Sequence, residues 1–210
     1  MVKAGNEGNI NNWLSNLVTS LNWLGANNVP RGTIVNLSIQ LTNLNCALSW
    51  IYPPLDNAVK AAHNAGVIVV LAAGNDGCNT ANYSPAQIPE AFVVGGTNRT
   101  LLASGKDAKH SMSGNTSRTG GNISAFAPGE LVDVLNSGGS PEKATGTSLS
   151  APYIAGIFAV ACQTNPTFCN TAPTADIYNV LRGYGTLGTV TNTDGSPLTG
   201  ATSRFIRQQW

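Results

Sequence analysis

Charged side chains are scarce in this sequence. They make up 10% of the 210 residues, 11 basic against 10 acidic, and give a formal net charge of +1. A balance so close to neutral gives no electrostatic reason to expect a nucleic acid or an anionic membrane surface as a partner. No apolar run approaches the length of a transmembrane helix. We therefore expect neither nucleic acid nor membrane among the partners.

Histidine and cysteine are also few, with two and four residues. The Cys/His spacing of a zinc site is missing, so we expect no metal. Four cysteines permit three disulfide pairings. Cys162 and Cys169 are close in sequence across a short turn, and Cys46 and Cys78 each follow a predicted parallel strand. We expect disulfides Cys46–Cys78 and Cys162–Cys169, with free buried thiols as the alternative.

Hydrophobic residues reach 42%, enough for a chain of this length to bury a substantial core. Helical and strand periodicities alternate along the chain, and this alternation predicts an α/β fold with right-handed crossovers and a parallel sheet. The sequence shows no repeat, linker or second domain. Helices are predicted at about 11–25, 55–65, 149–161 and 174–182, and strands at 33–39, 67–73, 91–97, 122–126 and 204–206.

The segment that begins at 146–148 and continues to about residue 161 is apolar on every side, which is typical of a helix inside a large domain. Ser148 would lie in its first turn, with Pro152 near the start, where a missing N–H is tolerated. A hydroxyl there is close to the positive end of the helix dipole and to free backbone N–H groups. These groups favour an oxyanion beside Ser148. The simpler alternative is that Ser148 only caps a buried helix.

The apolar run 67–73 predicts a strand buried on both faces, and a turn containing Asn75 follows it. Ligands of open parallel sheets bind beyond the carboxyl ends of the strands. An amide there and a serine at a helix N-terminus would supply the oxyanion donor and the nucleophile of an acyl-transfer site. Taken alone, Asn75 is more simply an ordinary turn asparagine.

Together these residues resemble the subtilase family of serine proteases, in particular its proteinase K-like branch. Residues 146–148 with Ala151-Pro152 look like the family's nucleophile motif, and 72–75 look like its oxyanion-asparagine motif. The resemblance implies a subtilisin-like, mostly parallel sheet flanked by helices, and a serine-type endopeptidase activity. Further segments match the family in the right order: 82–86, 93–97 and 126–129.

The family's catalytic residues run Asp, then His, then Ser along the chain. Its Asp and His motifs would precede Met1, and 2–4 is similar to one of its core strands. Neither His63 nor His110 stands in the family's His-Gly-Thr pattern, and we expect both at the surface. The resemblance thus implies that 1–210 is a single partial domain, in which the N-terminal part of the fold is missing.

The implied catalytic residues are Ser148 as nucleophile and Asn75 as oxyanion donor. Without an acid and a base the chain as given is expected to be inactive, because a serine hydroxyl is a poor nucleophile alone. The expected partners are a peptide or protein substrate and the missing N-terminal half of the same fold. The alternative is a catalytically dead, truncated subtilase that binds peptide or protein, or that has no function.

The resemblance also implies a cleft in which the substrate peptide is added as a strand between two segments, with a primary pocket along one of them. Gln40 stands where the family usually has glycine, and this substitution puts the depth and width of the pocket in question. The implied substrate-binding residues are Gly8, Asn9, Ile10, Ser38, Ile39 and Gln40 for the two segments, and Ala72, Ala73 and Gly74 for the pocket wall.

Calcium is the cofactor that the resemblance raises. Proteinase K-like members often hold Ca²⁺ near the position of Pro89 and through an aspartate that is Ser124 here. Because Ca²⁺ favours carboxylate ligands, we expect no calcium and no other cofactor. The family and the cysteines together favour a secreted protein.

Overall fold

The computed structural model describes residues 10–26, 29–41, 46, 48–101, 107–109, 111–112, 115–187, 190–192, 194–198 and 204–206. The helices are α1 (Ile10–Ala26), α2 (Pro53–Asn64), α3 (Thr147–Thr164), α4 (Pro166–Thr171) and α5 (Thr174–Tyr184). The strands are β1 (Ile34–Leu37), β2 (Ile68–Ala72), β3 (Phe92–Leu101), β4 (Asp107–Lys109), β5 (Ser111–Met112), β6 (Asn115–Thr116), β7 (Ile123–Pro128), β8 (Val132–Leu135), β9 (Pro141–Ala144) and β10 (Val190–Thr191).

The main sheet confirms the predicted α/β fold. Strands β1, β2, β3 and β7 are parallel neighbours in that order, β4 runs antiparallel to β3, and β10 is parallel to β4. Ile34 lies opposite Ile68, and Val70 lies opposite Phe92. The carboxyl ends of these parallel strands therefore meet at one edge of the sheet.

Strand β2 is buried on both faces, as the apolar run predicts. Val69 and Leu71 face the core shared with α1 and α2, whereas Ile68 and Val70 face the core shared with α3 and α5. Alternate side chains of β2 thus pack into two separate cores. Because both faces of the strand are buried, β2 contains no polar residue. Helices cover both faces of the sheet.

The prediction of a buried strand at 33–39 is only partly right. Strand β1 is shorter than predicted, and Leu37 is its one buried residue while Asn36 is exposed. In the described part of the chain β1 pairs with β2 alone, so it is an edge strand. The apolar composition of β1 therefore predicted more burial than an edge strand has.

The helix predicted at 55–65 begins earlier, at Pro53. Two consecutive prolines fix φ in the first turn, where their missing N–H groups have no helical acceptor in any case. Helix α4 was not predicted. Its N-cap is Asn165, whose side chain accepts a hydrogen bond from the backbone N–H of Phe168. The hairpin β8–β9 was not predicted either.

Helix α3 differs from the predicted all-round burial. Ile154 and Phe158 are buried against the sheet, but the opposite side carries a stripe of exposed residues. The residues of that stripe are all exposed in the described part of the chain. Below it is called the α3 stripe, and its members are Pro152, Tyr153, Gly156, Ala159, Val160 and Gln163.

Both predicted disulfides are present. Cys46 and Cys78 are joined between the ends of the segments that follow β1 and β2, and Cys162 is joined to Cys169 between α3 and α4. Among the described helices, none combines the length and the apolar character that crossing a bilayer requires.

Candidate active site

Asn75 lies just past the carboxyl end of β2 and is bound to the start of α3. Its Oδ1 accepts hydrogen bonds from the backbone N–H of Thr147 at 2.9 Å and from Thr147 Oγ1 at 3.0 Å. The same Thr147 hydroxyl accepts from the N–H of Gly74 at 3.1 Å. Because both bonds hold the amide oxygen, the Nδ2 group is the end of the carboxamide turned away from Thr147.

Ser148 is the second residue of α3 and is half-buried. Its backbone N–H is one of the first four in the helix, which have no acceptor in the preceding turn. Asn75 is bonded to Thr147, the residue that directly precedes Ser148 in α3. Asn75 is therefore held beside the start of the helix that contains Ser148, and the roles of the two residues stay a prediction.

A turn after β7 holds the start of α3 in place. Ser150 Oγ donates to the carbonyls of Ala127 and Pro128, at 3.2 and 3.0 Å. The N–H of Gly146 donates to the carbonyl of Gly129 at 2.7 Å. A Cβ atom on Gly129 would lie 2.4 Å from Ser150 Oγ, so only glycine allows this approach. The sequence identified 126–129 as a family motif but did not predict this role.

Ser38, a predicted substrate-binding residue, is hydrogen-bonded to the backbone of Ser148. Its hydroxyl donates to the carbonyl of Ser148 at 2.8 Å and accepts from Asn36 Nδ2 at 3.0 Å. Ile39 packs against the α1–α2 core. Gly8 and Asn9, on the second predicted segment, lie outside the described residues, and Ile10 is the first residue of α1.

Ala72, Ala73 and Gly74 are buried at the end of β2, next to a polar network. Gln40 Oε1 accepts from the N–H of Asn75 at 2.7 Å, and Gln40 Nε2 donates to Asp76 Oδ2 at 3.1 Å.

Asp76 also accepts from the guanidinium of Arg118, at 2.5 and 2.6 Å. Arg118 is 1% exposed, with its guanidinium 3.7 Å from the centre of the Tyr83 ring. The sequence did not single out Arg118, since nothing in its Ser/Thr/Gly-rich surroundings indicates burial.

The prediction that His63 is a surface residue is wrong. His63 is half-buried at the end of α2, with its ring 5.4 Å from that of Tyr178 on α5. Burial lowers its pKa, although the neighbouring Glu90 opposes that shift. The Tyr178 hydroxyl accepts from the N–H of Val69 at 2.9 Å, so this cluster lies at the amino end of β2.

Asn75, by contrast, follows the carboxyl end of the same strand. His63 and the Ser148–Asn75 site are therefore at opposite edges of the sheet. That separation excludes His63 as a base for Ser148. His110 lies outside the described residues.

The residues at the implied calcium position do not suit a cation. Pro89, Ser124 and Arg182 line a cavity of about 190 Å³, and Arg182 Nη2 donates to Ser124 Oγ at 2.9 Å. A guanidinium already occupies the place next to Ser124, and no carboxylate lines the cavity. Divalent calcium requires anionic oxygen ligands rather than a cationic neighbour. The described residues contain no group of three or more His, Cys, Asp or Glu side chains that could hold a metal.

Comparison with protein families finds a match to the subtilase (peptidase S8) family over residues 11–184. A cuticle-degrading serine protease of Arthrobotrys oligospora is 31% identical over 202 residues, which are 94% of this chain and 43% of that protein. M-protease of Shouchella clausii is 29% identical over 188 residues, 90% of this chain and 43% of that protein. Alkaline serine exoprotease A of Vibrio alginolyticus is 29% identical over 182 residues, 87% of this chain and 30% of that protein. The chain therefore spans between 30 and 43% of the length of these relatives.

Solved structures give the same result. A cold-adapted subtilisin-like serine proteinase superposes with a TM-score of 0.70 at 26% identity, over 88% of this chain and 59% of that one. Sphericase superposes with a TM-score of 0.75 at 19% identity, over 93% of this chain and 64% of that one, and at that identity the likeness concerns the fold alone.

Proposed function

The chain belongs to the subtilase family, and from this premise we propose that it carries the nucleophile and the oxyanion hole of a serine endopeptidase. Ser148 Oγ would attack the scissile carbonyl, and the Ser148 N–H and Asn75 Nδ2 would stabilise the negative charge that develops on its oxygen. The observation that carries this proposal is the pair of hydrogen bonds from Thr147 to Asn75 Oδ1. These bonds fix the orientation of the amide before any substrate binds.

The proposed site has no histidine base among the described residues, because His63 lies at the opposite sheet edge. A serine without a base is a weak nucleophile. In subtilisin, a member of this family, removal of the catalytic triad costs about 2 × 10⁶ in turnover. We therefore expect this polypeptide alone to have no useful peptidase activity.

The proposed partner is the Asp- and His-bearing part of a subtilase fold. Two features support it: β1 is an uncharged edge strand that pairs with β2 alone in the described part of the chain, and the α3 stripe is apolar apart from Gln163. An open strand edge beside an uncovered apolar helix suits a strand and a helix from another segment. The cold-adapted proteinase has such additional chain, since the match covers 59% of it.

A second candidate function is peptide binding without hydrolysis. An added peptide strand is held by main-chain hydrogen bonds, which need no base. Ser38, at the end of β1 and bonded to Ser148, is positioned for this role. We also propose secretion, supported by two disulfides and by relatives such as the extracellular serine proteinase of Thermus sp..

A fluorogenic peptide assay tests these proposals. The chain alone should give no turnover above its Ser148→Ala variant, and turnover that this variant abolishes would overturn the expected inactivity. Adding the Asp- and His-bearing segment of the cold-adapted proteinase should restore turnover that needs both Ser148 and Asn75. If the two polypeptides form a complex, bind peptide and still release no product, binding replaces hydrolysis as the function.

A further inference from the structure

Two side chains cross the space between the walls of the proposed primary pocket. One wall is the segment 38–41 after β1, and the other is the end of β2 at 72–75. Gln40 is the first crossing: its amide bonds to the backbone N–H of Asn75 on the far wall and to the carboxylate of Asp76. The side chain that stands where the family usually has glycine therefore spans the pocket from wall to wall.

Arg118 is the second crossing. Its Nη2 donates to the carbonyl of Leu41 at 2.8 Å, and its backbone N–H donates to the carbonyl of Gly74 at 3.0 Å. A Cβ atom on Gly74 would lie 2.6 Å from Arg118 Nε, so the guanidinium lies directly against the Gly74 backbone. The arginine thus fills the space behind Gln40 and contacts both walls.

An incoming substrate side chain cannot easily displace Gln40 and Arg118. Asp76 neutralises Arg118 and also accepts from Gln40, while the two ionic side chains are only 1% and 16% exposed. Tyr83, which is fully buried, covers the guanidinium. Moving Arg118 aside would leave the buried charge of its ion pair uncompensated, which is strongly unfavourable.

We propose that the primary pocket is closed to large side chains, and that the chain selects peptides with Gly, Ala or Ser at the residue before the scissile bond. Gln40 and Arg118 are the residues that determine this specificity. The inference rests on the proposed function, because it assumes that a peptide lies along Ser38 and Gln40. It adds the substrate class, which follows from the contacts of Gln40 and Arg118.

The test measures binding, so it needs no catalytic activity. Fluorescently labelled tetrapeptide acids that end in Ala or in Phe, and are otherwise identical, are titrated against the full chain by fluorescence anisotropy. The Ala peptide should bind at least about tenfold more tightly than the Phe peptide. Because this preference is measured on the unaltered chain, it does not depend on any variant folding.

The Gln40→Gly variant then tests the assigned residue. It should raise the affinity for the Phe peptide by about tenfold and leave the affinity for the Ala peptide within about twofold. Gln163→Gly, a matched change at an exposed position on α3, should alter neither affinity. Gln40→Ala provides a smaller change of the same kind.

The outcomes separate this inference from the proposed function. Equal binding of both peptides to the unaltered chain overturns the closed pocket and leaves the peptide cleft in place. A preference for Ala that persists unchanged in Gln40→Gly and Gln40→Ala overturns the assignment to Gln40. If neither peptide binds, the peptide cleft itself fails and the inference fails with it.

Discussion

The Ser38 hydroxyl donates a hydrogen bond of 2.8 Å to the backbone carbonyl of Ser148, 110 residues away in sequence. In a regular helix that carbonyl would accept from the N–H of residue 152. Residue 152 is a proline, which has no N–H, and it lies inside α3, near the start of the helix as predicted but beyond the first turn. Pro152 thus frees the Ser148 carbonyl for Ser38, and the segment after β1 is bonded to the helix that contains Ser148.

The first prediction concerns this bond. Ser38→Ala should lower the free energy of unfolding by about 0.5–1.5 kcal/mol, toward the lower end because Ser38 is exposed. In a Pro152→Ala background the loss should be smaller, since the N–H of residue 152 can then satisfy the Ser148 carbonyl. Urea denaturation of the two single variants and the double variant measures both values.

Ser20→Ala is the matched control, because the Ser20 hydroxyl donates to the helical carbonyl of Asn16, which another N–H already satisfies. That change should be close to neutral. An equal loss from Ser38→Ala in both backgrounds would show that Pro152 has no part in the bond.

Local patterns predicted the parts of the fold that local physics determines. The apolar run of β2 has no polar residue because both of its faces are buried, and burial of that kind is visible in sequence. The edge position of β1 is not visible, since it depends on which strand pairs beside it. The family motifs led to Asn75 and Ser148, and the structure adds the intervening Thr147, whose two hydrogen bonds orient the amide.

The polar network at the pocket was beyond sequence reasoning. Arg118 and Asp76 are 42 residues apart, and their pairing depends on how the segment after β6 returns to the end of β2. The periodicity of the sequence does not indicate such a contact, because an arginine among small polar residues has the sequence pattern of a surface residue even when it is buried. Gln40 was noticed only as a departure from glycine, and the structure supplies its partners.

The second prediction compares the two disulfides. Cys46–Cys78 closes 32 residues of chain and Cys162–Cys169 closes 7. If loop-closure entropy of the unfolded chain dominates, replacing the first pair with serines should cost about 3.7 kcal/mol and the second about 2.4 kcal/mol. Urea denaturation of the two double variants tests the order. Alkylation of all four cysteines in the native, unreduced protein would contradict both bonds.

The third prediction concerns pH. Burial lowers the pKa of His63 in the folded protein below the ordinary value of 6.5, against the opposing effect of Glu90, and the ring faces Tyr178. Between the pKa of His63 in the folded protein and its ordinary value, the unfolded chain is therefore protonated at His63 more often than the folded chain. The contribution of neutral His63 to the free energy of unfolding is complete above about pH 6.5. It is lost as the pH falls through the pKa that His63 has in the folded protein.

Thermal denaturation between pH 7.5 and pH 5 measures this loss (roughly the interval in which histidine titrates). His63→Gln, which carries no titratable group, should show a smaller fall in melting temperature over the same interval. Because every other ionisable group is shared, the difference between the two profiles isolates His63. Identical profiles would contradict a depressed pKa.

The last prediction concerns Arg182 and calcium. The guanidinium donates to Ser124 and lies 5.3 Å from the ring of Phe92, so it joins α5 to β7 and β3. Burial lowers the pKa of Arg182, but an arginine remains charged at neutral pH. We expect the melting temperature to be the same in calcium chloride and in EDTA. Arg182→Gln should lower stability by about 1.5–3 kcal/mol, the usual contribution of a hydrogen bond from a charged group.

Ser124→Asp separates the effect of the arginine from that of the missing carboxylate. With Arg182 present, the new carboxylate should pair with the guanidinium, and calcium should still leave the melting temperature unchanged. With Ser124→Asp and Arg182→Gln combined, the carboxylate no longer has the Arg182 guanidinium as a partner, and calcium should now raise the melting temperature. Calcium stabilisation of the unaltered chain, or of Ser124→Asp alone, would mean that the Arg182 guanidinium does not keep the cation out.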